Sequence, residues 1–149
     1  MNGDTLKRAI EKWKYTGKER PEFAEIPADD QESVWDYPRP PSITSESKQI
    51  KIFTKEKILI AKTSYSIKIC ETSSPPTYYI PLKDVEIQHL STVKDMNSFC
   101  EWKGTAKYYS LNKTGEVCGW YYDDPYPSYA AIKGDEKVTA QEGDYYGIK

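Results

Sequence analysis

The chain is predicted to be a mainly β, compact antiparallel domain, with a short N-terminal helix and an extended Pro-rich arm. Three observations predict it. Short apolar–polar alternations recur between residues 49 and 122, separated by polar turns. No βαβ rhythm and no internal repeat is present. Thirteen Tyr stand against three Phe, a bias that suits half-buried strand positions, where the ring packs and the hydroxyl meets water or a partner.

Length and charge bound the rest. One domain fits 149 residues, and a chain of that size buries about 70% of its unfolded surface, enough for a core without staples. Lys and Arg total 21 against 23 acidic residues, so no basic nucleic-acid face is expected. No apolar run approaches the roughly 20 residues of a membrane span. Met1-Asn2-Gly3-Asp4 lacks the layout of a secretory signal, and a cytoplasmic location is expected. Cys70, Cys100, Cys118 and the single His89 have no metal-ligand spacing. They are read as packing residues, with no metal, and the cofactor is unknown.

In chain order, Asp4 or Thr5 can cap a helix on which Leu6, Ile10 and Trp13 recur, ended by Gly17 and Pro21. Residues 18–34 read as an extended arm. Pro38-Arg39-Pro40-Pro41 is expected to continue it, because each proline fixes its own φ and biases its predecessor. Ser42 to Ser47 reads as a flexible stretch. Residues 1–41 are thus a helix and arm packed on the domain, and 42–149 the β-domain. Gln49–Phe53, Lys57–Lys62 and Tyr65–Glu71 alternate and predict a three-stranded meander. Ser73–Pro76 is a break. Tyr78–Ile80 is a short strand, Pro81–Asp84 a single helical turn, and Val85–Leu90 another strand. Thr105–Leu111 and Val117–Tyr122 are strands joined by Asn112-Lys113-Thr114-Gly115, a turn composition. Lys137–Ala140 is a last strand.

Several segments together resemble a bacterial family known as domain of unknown function 427. They are Glu32 to Pro41, Glu71-Thr72 with Pro75-Pro76 and Tyr78-Tyr79, Asp84-Val85, Cys100 to Tyr109, Trp120 with Tyr122 and Pro125, and Gln141 to Gly147. The resemblance implies a β-tent or barrel-like arrangement. Against that family the chain looks short of an internal hairpin, since Gly134 runs straight into Asp135, and of a C-terminal tail. A lost central strand would leave two unpaired sheet edges. A nucleotidyltransferase label is sometimes attached to the family. Gly-x-Gly-x-x-Gly, Gly-x-x-x-x-Gly-Lys and Asp-x-Asp are all absent here, so the residues do not support it.

The candidate site gathers an aromatic wall and a few charges. Lys103, in Cys100-Glu101-Trp102-Lys103-Gly104, is the first candidate for a catalytic base, Schiff-base nucleophile or anion contact. Its bland reading is a surface stem covering Trp102. Glu71, closing a strand at a Pro-rich turn, is a candidate general base or an ordinary strand-end carboxylate. Arg39, held between prolines, suits an anion clamp or a salt bridge to Asp36 or Glu71. Trp35, Tyr78, Trp102 and Tyr108 are candidate lining residues, although Trp35 also fits an anchor for the arm. Cys100 has no evident base and is read as inert. Asp123-Asp124 reads as a solvated turn.

Three readings stay open. The leading one is a domain binding a small, anionic molecule, with no reaction class assigned. The second is a protein–protein interaction module without catalysis. The third is a shortened member of the family with little activity of its own. Monomer and homodimer are both compatible with the sequence.

Overall fold

The computed structural model describes residues 14–132 and 137–140. Nine strands and four short 3-10 segments make up its regular structure. The helix expected between Asp4 and Trp13 lies outside the described residues. Among the described residues, no helix is long and apolar enough to cross a membrane. Two compact units are present. One comprises Met1–Ile43 with Ile69–Pro76, the other Thr44–Lys68 with Thr77–Lys149.

The first unit is organised around one 3-10 turn, Val34–Asp36, capped by the Ser33 hydroxyl, which accepts from the Trp35 amide at 3.3 Å. This turn replaces the straight arm expected there. Further turns occur at 22–23 and 29–30. The Pro-rich run also departs from expectation. It bends at Arg39 and Pro40, and the peptide bond between them is cis. A returning segment locks the turn. The Thr72 hydroxyl donates to the Tyr37 carbonyl at 2.5 Å, and the Ser73 amide to the Val34 carbonyl at 3.0 Å. Thr72 is fully buried, so that hydroxyl bond satisfies a group that water cannot reach. Gly17 lies against the same turn with φ +88°, and a Cβ there would stand 2.6 Å from the Tyr37 carbonyl oxygen. Only glycine fits that approach.

In the second unit, β2 (Ile50–Phe53) and β3 (Leu59–Thr63) form a separate antiparallel pair. The other strands form one seven-stranded sheet. They are β1 (Ser42–Glu46), β4 (Ser66–Cys70), β5 (Thr77–Pro81), β6 (Leu90–Cys100), β7 (Gly104–Leu111), β8 (Val117–Tyr121) and β9 (Lys137–Ala140). Their order is β1-β4-β5-β9-β8-β7-β6. The expected meander is therefore corrected. The 49–53 and 57–62 segments pair with each other, but the 65–71 segment belongs to the larger sheet. Alternation marks a strand without saying which edge it will meet.

Two further strands depart from the sequence reading. The Ser/Thr stretch expected to be flexible is β1, whose Thr44 hydroxyl donates to the Lys68 carbonyl at 3.4 Å. The strand expected over Val85–Leu90 reduces to a bridge at Val85 opposite Ala61, followed by a 3-10 turn, Ile87–His89. The strand proper starts at Leu90 and runs for 11 residues. Near its middle, Val93, Lys94, Asp95 and Met96 stand opposite Tyr108 alone, with Asp95 at φ +58°. Such a bulge bends the strand and raises its twist.

The sheet is open. A barrel would need β6 to meet β1, and among the described strands β6 pairs with β7 alone. The segment after Gly134 supplies β9, which lies between β5 and β8 through Tyr79↔Thr139 and Trp120↔Thr139. The two open edges expected from a missing strand are thus absent at that point of the sheet. The apolar core gathers Ile50, Ile52, Ile60, Ala61, Ile80, Val85, Leu111 and Cys118, with Tyr78, Leu90 and Tyr109 packed against it.

Candidate functional site

Strand alternation divides the aromatic residues of the second unit between two faces. In β5, Tyr78 and Ile80 belong with the apolar core, and Tyr79 points the other way. In β7, Tyr109 and Leu111 belong with the core, and Tyr108 points away from it. Tyr108 is paired with Trp120 across the β7–β8 ladder, and Ala106 with Ser98 across β6–β7. Ser98, Cys100, Gly104, Ala106, Tyr108, Trp120 and Tyr79 thus share a second face. Tyr122, two residues beyond Trp120, joins them.

This face is polar where its neighbour is aliphatic. The Trp120 indole nitrogen donates to the Tyr79 hydroxyl at 3.4 Å, and the hydroxyls of Ser98 and Tyr108 lie 2.5 Å apart. Tyr79 and Tyr122 stack at a tilt, their ring centroids 6.3 Å apart. Burial pushes the Tyr122 phenol far above its ordinary range, reinforced by Tyr79, Cys100 and Tyr108 and by a hydrogen bond with Tyr79. Its proton is therefore held at any physiological pH, and the group can donate or accept a hydrogen bond but not act as a phenolate.

The β6–β7 turn, Glu101-Trp102-Lys103, stands at the end of this face. The Tyr126 amide donates to the Lys103 carbonyl at 3.0 Å. At Gly104, φ is +107° and a Cβ would meet the Asp124 carbonyl oxygen at 3.6 Å. Two segments far apart in sequence, 100–109 and 120–126, are thereby clasped together. Lys103 and Trp102 are half-buried. The Lys103 ammonium makes no hydrogen bond or ion pair among the described residues. Lys107, by contrast, is committed to Asp123, whose carboxylate raises the lysine's pKa by hydrogen bonding and charge.

The expected site residues divide as follows. Trp102, Lys103 and Tyr108 lie in the second unit along the clasped motif. Tyr78 lies in the same unit but on the core side, and its neighbour Tyr79 takes the place beside Tyr122. Trp35, Arg39 and Glu71 belong to the first unit. There Trp35 is met edge-on by Tyr15 at 5.5 Å and Phe23 at 5.6 Å. Asp36, offered as a partner for Arg39, is held instead by Arg20 through two 2.7 Å bonds, which keep its carboxyl below the ordinary range.

Tyr79, Trp120 and Tyr122 were not among the expected site residues. The signal for them was the Trp120-x-Tyr122 alternation beside a glycine. No cluster of three or more metal-ligating side chains occurs among the described residues. Elsewhere on the unit, a recess of about 100 Å³ lies between the β2–β3 and β7–β8 turns, lined in part by Ile58, Ile60, His89 and Leu111. It contains none of the expected site residues.

No curated protein matches the chain. The model of a family described as a domain of unknown function, DUF427, matches residues 42–146, and the chain belongs to that family.

Proposed function

We propose that the protein binds a small molecule on the tyrosine-bearing face of the second unit. Lys103 is the contact for an anionic group of the ligand, and Tyr108 and Tyr122 supply hydroxyls. No reaction is assigned. The observation that carries this reading is the clasp between the β6–β7 turn and the 124–126 loop, which fixes the backbone of an uncommitted, half-buried lysine at the end of the face that bears Tyr108 and Tyr122. A few polar groups converging on an aromatic surface is how small-molecule sites are built. Trp35, Arg39 and Glu71 are not needed for it.

Titration with inorganic phosphate and with acetate, read by amide chemical shifts, tests the reading. Saturable shifts at Gly104, Tyr108 and Tyr122 are expected. In Lys103→Ala they should vanish with the melting temperature unchanged. A lysine whose removal unfolds the domain, or amides that do not respond to either anion, would overturn it.

A second reading, an interaction module, is favoured by β6. It ends the sheet, and none of its 11 positions is buried, eight of them being exposed, with Phe99 69% and Met96 40% exposed. An end strand of this kind can pair with another chain. Native mass spectrometry across concentration distinguishes them, because a monomer at high concentration with no retained partner removes the second reading.

A further inference from the structure

The geometry points to a binding corner for an organic cation, formed by the rings of Phe99 and Tyr126. It is independent of the anion site proposed above. Phe99 is paired with Thr105 across the β6–β7 ladder, so alternation turns it away from Ser98 and Cys100. The two rings stand 6.5 Å apart between centroids and are inclined at 83°. They remain 69% and 45% exposed. Two nearly perpendicular rings left open to solvent offer aromatic faces, whose negative quadrupole attracts a cation within about 6 Å of a centroid.

Both rings are carried by fixed backbone. Phe99 is in the ladder, and Tyr126 is tied on both sides, its amide donating to Lys103 and its carbonyl accepting from the Tyr129 amide at 2.8 Å. The corner is therefore formed before any ligand arrives, which lowers the ordering cost of binding. The charges nearby favour the same sign of guest. Glu101 lies two residues after Phe99, and Asp124 two residues before Tyr126, both exposed. Lys107 and Asp123 neutralise each other. Lys103 is the opposing charge, and Asp124 is the carboxylate that the guest would meet. A weakly hydrated guest is preferred, because a compact ammonium gives up more hydration to reach a ring. The ligand class is thus a methylated or quaternary ammonium group, bound in the millimolar range as an exposed two-ring site allows.

The test titrates the full chain with tetramethylammonium chloride, with ammonium chloride at matched ionic strength, and with tert-butanol, the neutral molecule of similar shape. Ring resonances of Phe99 and Tyr126 are read. Tetramethylammonium should shift both rings saturably and the other two probes should not. Phe99→Ala should weaken binding about fivefold, Phe99→Tyr should retain it, and Asp124→Asn should weaken it for the cation only. Melting temperature checks that each variant folds. Equal response to tert-butanol would mean an apolar patch and overturn the proposal. Rings silent to every probe, or rings that broaden with protein concentration alone because a second copy covers them, would overturn it too.

Discussion

The two faces of the large sheet in the second unit use the same strands to opposite ends. On one, Ile80 and Leu111 join Ile50, Ile52 and Ile60 in a core with almost no polar atoms. On the other, Tyr79, next to Ile80, and Tyr108, next to the core-side Tyr109, stand beside Tyr122 while their hydroxyls find partners. The faces differ in what each can still do. The aliphatic face can only hold the fold. The tyrosine face holds it and retains donors and acceptors that a ligand can use. A one-residue offset along β5 or β7 decides which role a side chain takes.

The sharpest way to break this comparison is Ile80→Ala. Ile80 is 1% exposed, and its truncation should cost about 2–5 kcal/mol in urea denaturation, as large-to-small core changes do. A loss below about 1 kcal/mol would mean that the aliphatic face does not carry the fold. Next in size is alkaline stability. Tyr122 is neutral in the fold with its pKa raised by burial. Its contribution is full below the ordinary phenol value, about 10, and is lost as pH rises toward the folded value. Tyrosinate absorbance should therefore reveal this group only as the domain unfolds, and Tyr122→Phe should move the alkaline transition upward. Smaller again is Thr72→Val in the first unit. It deletes the bond to the Tyr37 carbonyl at nearly constant shape and should cost about 1 kcal/mol.

The smallest effect concerns Asp36. Its carboxyl is held down by Arg20 on an exposed surface. Its contribution is present above the ordinary Asp value, about 3.9, and lost as pH falls through the lower folded value. In Arg20→Ala the Asp36 titration, followed by carboxyl carbon shifts, should return upward while global stability scarcely moves.

Where burial writes alternation into the chain, the strands were legible. β2, β3, β5, β7 and β8 all carry it. β1 and β6 were not, because end strands need backbone pairing more than an apolar face. Ser42-Ile43-Thr44-Ser45-Glu46 accordingly reads as a flexible stretch, and Lys94-Asp95-Met96-Asn97-Ser98 carries no strand alternation. At the site, the sequence pointed to Lys103, Trp102 and Tyr108 through the density of aromatic, charge and glycine in one stretch. It pointed to Tyr78 where Tyr79 is the residue beside Tyr122, since two adjacent tyrosines are alike until the face is known. The proximity of segments 100–109 and 120–126 depends on the loop after β8, whose conformation no local pattern specifies.

The place of β9 has a consequence for synthesis. Residues Lys137–Ala140 stand between β5 and β8, and Tyr79 waits for Thr139. At about 5–20 residues per second, a growing chain spends several seconds with β6, β7 and β8 able to form a local meander while β5 has no inner neighbour. The halves of the sheet are joined by β9, made after all the other described strands. Nascent chains halted before Lys137 should therefore remain protease-sensitive along β5, and those carried past Ala140 should become resistant in one step.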